Sequence, residues 1–123
     1  MSKTILIADD DAMITQLFHL GFEQAGHDVH VKSATSGELA ISALEEKKPD
    51  VLVLDIKMPN GDGMVVLEHV KNKEWDLPVI ILTNVYDKEL QDQCLQYGVR
   101  DYLIKHEHKF DHILAKVCAC FDA

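Results

Sequence analysis

The chain has 123 residues, 47% of them apolar, and its 12 Lys and Arg against 21 Asp and Glu leave a net charge of −9. That length suits one domain, here expected to span residues 1–123, able to bury roughly two-thirds of its unfolded surface. The acidic balance disfavours direct binding of nucleic acid, which needs clustered Lys and Arg. Cys94, Cys118 and Cys120 are too few and badly spaced for a disulfide framework or a zinc site. No stretch approaches the ~18 apolar residues of a membrane span, and Met1-Ser2-Lys3 runs into a short apolar segment that ends in acid, so no signal peptide is read. A cytoplasmic, reducing setting without membrane contact is the expectation.

In chain order, Ile5–Ala8 is a short continuous apolar run, the pattern of a parallel strand buried on both faces. It runs straight into Asp9, Asp10 and Asp11. Unit charges about 4 Å apart repel by roughly 4 kcal/mol at an effective dielectric near 20, so something must offset this cluster. Asp11 is expected at the first turn of the following helix, where negative charge is favoured. Ile14, Leu17, Phe18, Gly21, Phe22 and Ala25 mark that helix by their spacing. Around His27–Lys32, Val29 and Val31 alternate with Asp28, His30 and Lys32, as in a half-exposed edge strand. Thr35-Ser36-Gly37-Glu38 has the form of a capping box before the Ala40-Ile41-Leu44 stripe.

Val51–Leu54 is a third buried run, ending at Asp55. Asp62 sits where an N-cap belongs, ahead of Met64-Leu67-Val70. Val79–Leu82 ends at Thr83, and Asp87 is placed to cap the Leu90-Cys94-Tyr97 helix. Leu103-Ile104 ends at Lys105, before a last stripe of Phe110, Ile113, Leu114, Val117, Cys118 and Phe121 that is expected to leave Cys120 outside it. Gly26, Gly61, Gly98 and Pro49 punctuate the connections. Met13, Met58 and Met64 read as packing or loop residues.

Strands alternating with helices predict an α/β (βα)5 fold, a doubly wound parallel sheet with helices on both faces. One common order for such sheets is the flavodoxin-like 2-1-3-4-5, which agrees with strand 2 at an edge. Ligand sites in such sheets lie at the carboxyl ends of the strands where the order reverses. Asp9, Asp10 and Asp55 would converge there, with Thr83 and Lys105 on the neighbouring strands. Three carboxylates and one ammonium leave a charge of about −2, which suits a hard divalent cation with oxygen ligands such as Mg²⁺.

ILIADDDA, PDVLVLDIKMPNGDG, PVIILTN and DYLIK, in this order and at these intervals, resemble the motifs of receiver domains of two-component response regulators, from about Thr4 to Phe121. The resemblance implies that Asp55 is the phosphoacceptor, taking a phosphoryl group from a sensor histidine kinase or a histidine phosphotransfer protein. It implies that Asp10, Asp55 and the backbone carbonyl of Lys57 ligate Mg²⁺, with Asp9 acting through a metal-bound water. Thr83 and Lys105 would contact the phosphoryl group, and Tyr102 would be the switch aromatic that moves inward as Thr83 is drawn to phosphate. Pro59 and Gly63 would shape the loop after Asp55. A downstream protein would dock on the face of helix 4, strand 5 and helix 5, at Tyr86, Gln91, Arg100, Tyr102 and Lys116. A strand-5 tyrosine could equally pack with its hydroxyl in water.

The chain departs from the family's pattern in two respects, one at His106 and one at the pair Lys57 and Val85. His106 stands where proline usually follows the strand-5 lysine, so a trans Lys105-His106 peptide is expected, a cis bond before a non-proline residue costing about 2.5–4 kcal/mol. Lys57 and Val85 flank the approach of a hydrolytic water in this family. Neither can orient a water by accepting its hydrogen bond, and the expectation is a slowly decaying phosphorylated form. Other readings weigh less. A flavin carrier would need a Ser/Thr/Gly-rich phosphate loop where ADDDAM stands. An Mg-dependent phosphatase with an aspartate nucleophile usually carries a second carboxylate at the position of Lys57. A receiver-like module could also signal by contact alone, without phosphorylation. Beyond its own phosphorylation and dephosphorylation, no enzymatic activity is expected. His106, His108 and His112 have metal-ligand spacing, 108 and 112 being i, i+4, but a solvated loop and helix start is the favoured reading.

Overall fold

The computed structural model describes residues 2–58 and 63–121. Its elements are β1 (Lys3–Ala8), α1 (Ala12–Gln24), β2 (Val29–Ala34), α2 (Gly37–Glu46), β3 (Val51–Leu54), α3 (Gly63–Asn72), β4 (Val79–Thr83), α4 (Lys88–Gln96), β5 (Asp101–Ile104), a short 3-10 turn (Lys105–Glu107) and α5 (Phe110–Phe121). The strands form one parallel sheet in the order β2-β1-β3-β4-β5. The fold expected from alternation is the fold observed.

Because successive strand residues point to opposite faces, each buried strand feeds two cores. Leu6, Ala8, Leu52, Leu54 and Ile81 pack with Ala40, Leu44, Val66, Leu67 and Cys94 of α2, α3 and α4. Ile5, Ile7, Val51, Val53, Ile80 and Leu82 pack with Phe18 and Phe22 of α1 and Ile113 and Val117 of α5. Gly21 lets α1 and α5 meet: a Cβ there would lie 3.0 Å from the Phe110 ring and 3.1 Å from Leu114. Among the described residues no helix is long and apolar enough to cross a membrane.

Several local boundaries differ from the sequence reading. The edge strand runs over Val29–Ala34 rather than His27–Lys32, because all six residues of β1 pair with it and the small Ala34 is buried at its end. Strand 5 begins at Asp101, which pairs with Ile80. Ser36, not Thr35, caps α2 by accepting the Leu39 N–H, which leaves Glu38 in the first turn at the favourable end of the helix dipole. Asp11 and Asp87 cap α1 and α4 through the N–H groups of Met13, and of Glu89 and Leu90. Asp62 and Pro59 lie outside the described residues. On α5 the buried stripe is Ile113, Val117 and Cys120, at i, i+4, i+7, with Cys118 flanking it, so the relative burial expected for the two cysteines is reversed. On α1, Leu17 is exposed.

Candidate functional site

β1 and β3 are neighbours, and both emerge at the same sheet edge with a carboxylate: the Asp55 N–H donates to the Ala8 carbonyl at 2.8 Å, and the Asp9 N–H to Ala34 at 2.9 Å. Asp9 and Asp55 are almost wholly buried, while Asp10 is exposed. Asp9, Asp10 and Asp55 each offer a carboxylate oxygen, and these oxygens lie within 4.8 Å of one another. Local backbone holds the buried pair. Asp9 Oδ1 accepts the Asp11 N–H at 2.9 Å, and Asp55 Oδ1 accepts the Lys57 N–H at 3.0 Å.

Lys105 reaches across from β5. Its ammonium stands 2.8 Å from Asp9 Oδ2 and 3.1 Å from Asp55 Oδ2, bridging the two buried carboxylates. The peptide between Lys105 and His106 is trans, as expected without proline. Burial pushes the Lys105 pKa down, but hydrogen bonding and attraction to Asp9 and Asp55 outweigh it and hold the ammonium above the usual lysine range. Burial also dominates at Asp9. It lifts this carboxyl above its ordinary range despite the lysine, with the charge of Asp55 adding to the effect. One ammonium thus leaves the cluster short of positive charge. An all-oxygen donor set of excess negative charge fits a hard dication.

Thr83 ends β4 fully buried, and its Oγ1 accepts the Val85 N–H at 3.3 Å. The Val85 carbonyl in turn accepts the Tyr102 hydroxyl at 2.7 Å. Tyr102 is therefore turned inward, with its hydroxyl bonded rather than in water. Burial, helped by Cys94, Asp87 and Asp55, pushes its pKa up to about 12. Of the residues expected on the surface of α4, β5 and α5, Tyr86, Arg100 and Lys116 are exposed, Gln91 is half-buried and Tyr102 is buried. Lys116 pairs with Asp101 at 3.4 Å.

Gly63 has a steric reason. A Cβ there would fall 2.5 Å from both the Asp55 carbonyl oxygen and the Ile56 Cα, so only glycine lets α3 begin this close to the backbone of Asp55 and Ile56. The sequence reading missed Asn84. Its Oδ1 lies 3.0 Å from His106 Nδ1, joining the loop after Thr83 to the turn after Lys105. The adjacency of Asn84 to Thr83 and of His106 to Lys105 was the available signal. The expected roles of Lys57 and Val85 meet the structure unevenly. The Lys57 side chain is exposed, whereas Val85 is half-buried between Thr83 and Tyr102.

Residues 5–117 match the family described as response regulator receiver domain. The chain is a member of it. Over 108 residues it is 35% identical to the alkaline phosphatase synthesis transcriptional regulatory protein PhoP of Bacillus subtilis, an alignment covering 85% of this chain and 43% of that protein. The chain thus spans about half the length, or less, of curated relatives such as this one. Its fold superposes on the receiver domain of a Francisella response regulator with a TM-score of 0.85 at 30% identity, covering 98% of this chain and 97% of that one. A BeF3-activated DrrB receiver domain gives 0.84 at 26% identity over the whole of both chains. Receiver domains are in general signalling domains rather than enzymes, and they interact with histidine kinases and downstream effectors.

Proposed function

We propose that this chain is a phosphorylated switch in which Asp55 accepts a phosphoryl group from a histidine kinase or histidine phosphotransfer protein. The observation that carries the reading is the bridging of Asp9 and Asp55 by Lys105, at 2.8 and 3.1 Å, in a pocket still short of positive charge. In the transfer, a carboxylate oxygen of Asp55 bonds to phosphorus as the P–N bond of the phosphohistidine breaks, and the imidazole leaves with the electron pair. Such transfer needs little beyond positioning and charge neutralisation. Mg²⁺, held by Asp9, Asp10, Asp55 and the carbonyl of Lys57, would supply part of that neutralisation when bound. Lys105 meets charge on the phosphoryl oxygens, and the Thr83 hydroxyl donates to one of them. A shift of Thr83 is felt at Tyr102 through Val85, since both hold the same residue's backbone. The partner-binding face of α4, β5 and α5 is biased through that link. The likeness to a BeF3-activated receiver domain supports this reading.

The test is labelling with acetyl phosphate or phosphoramidate, with and without Mg²⁺. One labile phosphoryl group is expected, only with Mg²⁺, and none in Asp55→Asn; labelling of that variant at the wild-type level refutes the assignment. The phosphorylated form should decay slowly, because neither the exposed Lys57 nor the half-buried Val85 can orient a water by accepting its hydrogen bond. Replacing Lys57 with Asn and Val85 with Glu should shorten its lifetime, followed by loss of label. Unchanged or slower decay rejects the tuning role.

A further inference from the structure

The turn from β5 into α5 carries a second cluster, outside the acidic pocket. α5 starts at Phe110, so His108 lies in extended backbone before the helix and does not share a helical face with His112. The spacing argument for a helical pair fails, yet the two imidazoles meet. Their rings stack with centroids 5.4 Å apart and planes 12° from parallel. The cause is a tether: His108 Nδ1 lies 2.9 Å from the Ile104 carbonyl oxygen. A carbonyl can only accept, so Nδ1 bears the proton and the Nε2 lone pair of His108 is left as the acceptor.

A ring N–H donated to a backbone carbonyl, with the other nitrogen presented as a base, is how metal-ligating histidines are oriented. In the stack the two in-plane lone pairs lie in near-parallel planes and do not meet on one ion, so coordination takes the exposed His112 ring, on the first turn of α5, turned out of the stack toward His108 Nε2. Glu107 and Asp111, both exposed, are each next to one of the histidines and outnumber Lys109, while Lys116, one turn on from His112, is paired with Asp101, so the local balance favours a dication. Imidazole nitrogens prefer borderline transition metals to Mg²⁺, with metal–nitrogen bonds of about 2.0–2.1 Å for Zn²⁺. We infer that His108 and His112 form a binding site for a borderline divalent transition-metal cation such as Zn²⁺, Ni²⁺ or Cu²⁺, completed by water. It is chemically distinct from the oxygen site at Asp9, Asp10 and Asp55. An ion held there joins the turn that begins at Lys105 to the first turn of α5.

The experiment is a Ni²⁺ titration of isotope-labelled protein, followed by NMR in saturating Mg²⁺ so that the carboxylate site is already filled. Paramagnetic broadening is expected first at the rings and amides of His108 and His112 and their neighbours. It should be lost in His112→Ala, whose exposed position leaves the fold intact, and in His108→Ala. A parallel Zn²⁺ titration by calorimetry should lose most of its heat in both variants. Acid should also abolish binding, since a protonated imidazole has no lone pair left for a metal. Broadening centred on Asp9, Asp10 and Asp55 or on other histidines overturns the inference. So does a titration that His112→Ala leaves unchanged, or no binding at all.

Discussion

Two charge clusters in this molecule are near mirror images. At the sheet edge one cation, Lys105, bridges two carboxylates, Asp9 and Asp55. Between α2 and α3 one carboxylate, Glu45, bridges two bases, His69 at 2.7 Å and Lys73 at 3.1 Å. They differ in burial. The side chains of Lys105, Asp9 and Asp55 are 14%, 2% and 8% exposed, those of Glu45, His69 and Lys73 43%, 25% and 46%. The sign of the carboxyl pKa follows. Hydrogen bonds from Lys73 and His69 hold Glu45 below the usual range, while burial lifts Asp9 above it in spite of its lysine. Pairing alone therefore does not mark a ligand site. A buried excess of one sign does, because only there does the protein leave a charge cost that a ligand can relieve.

The largest expected effect comes from removing the buried bridge. Lys105→Met leaves two carboxylates desolvated and unpaired. Breaking a buried pair from one side costs on the order of 3–5 kcal/mol, and the partial exposure of Lys105 places this case near the low end, at about 3 kcal/mol. Denaturant unfolding in a chelating buffer measures it. Saturating Mg²⁺ should recover part of the loss, since a dication at the same oxygens replaces the missing charge. A loss no larger than that of an exposed pair, about 1 kcal/mol or less, would erase the contrast between the clusters.

A smaller effect, of opposite sign, is expected from Asp9→Asn without metal. The folded-state pKa of Asp9 lies above its unfolded value, so its ionised form costs stability at neutral pH, and that cost is relieved as pH falls through the folded pKa. The variant should melt higher than wild type at neutral pH, with the gap closing toward acid. A lower melting temperature at neutral pH would mean that the lost Lys105 contact outweighs desolvation.

The strand ends that carry Asp9, Asp55, Thr83 and Lys105 were legible in the sequence, because a buried run that stops at a charged or hydroxylic residue marks both the element and where that residue emerges. The Asp87 cap was legible for a similar reason, since a cap is a local interaction between near neighbours; Asp11, expected within the first turn, stands one place earlier as the cap itself. Contacts set by pairing partners elsewhere in the chain were not. The starts of β2 and β5 depend on how far β1 and β4 extend, and the burial of Cys120 depends on the rotation of α5 against the sheet. The histidines were read as a solvated loop and helix start, and His106 and His112 are exposed, but the stacking of His108 on His112 was not foreseen, because the i, i+4 spacing considered for the pair assumed a helix through His108. The tie to Ile104 that brings the rings together comes from the turn that follows β5. The side-chain link between His106 and Asn84 spans 22 positions, and the adjacency of each to Lys105 and Thr83 was the one hint of it.

The smallest effect belongs to the exposed cluster, and it sharpens the comparison by being small. Glu45→Gln removes the shared acceptor of His69 and Lys73 but strands no buried charge, since solvent reaches all three side chains. The pKa of Glu45 is lowered in the folded state, so whatever stability it contributes is present above the ordinary value of 4.5 and is lost as pH falls through the folded pKa. Wild type should melt slightly above the variant at neutral pH and together with it in acid. Added salt should shrink the difference as well, because exposed pairs are screened over a Debye length of about 10 Å at 0.1 M and about 3 Å at 1 M. The Lys105 effect should survive the same salt, since its partners are buried. Thermal melts of both variants across pH and salt decide the matter: a Glu45 effect that rivals that of Lys105, or persists in high salt, would mean that burial is not what separates the two clusters.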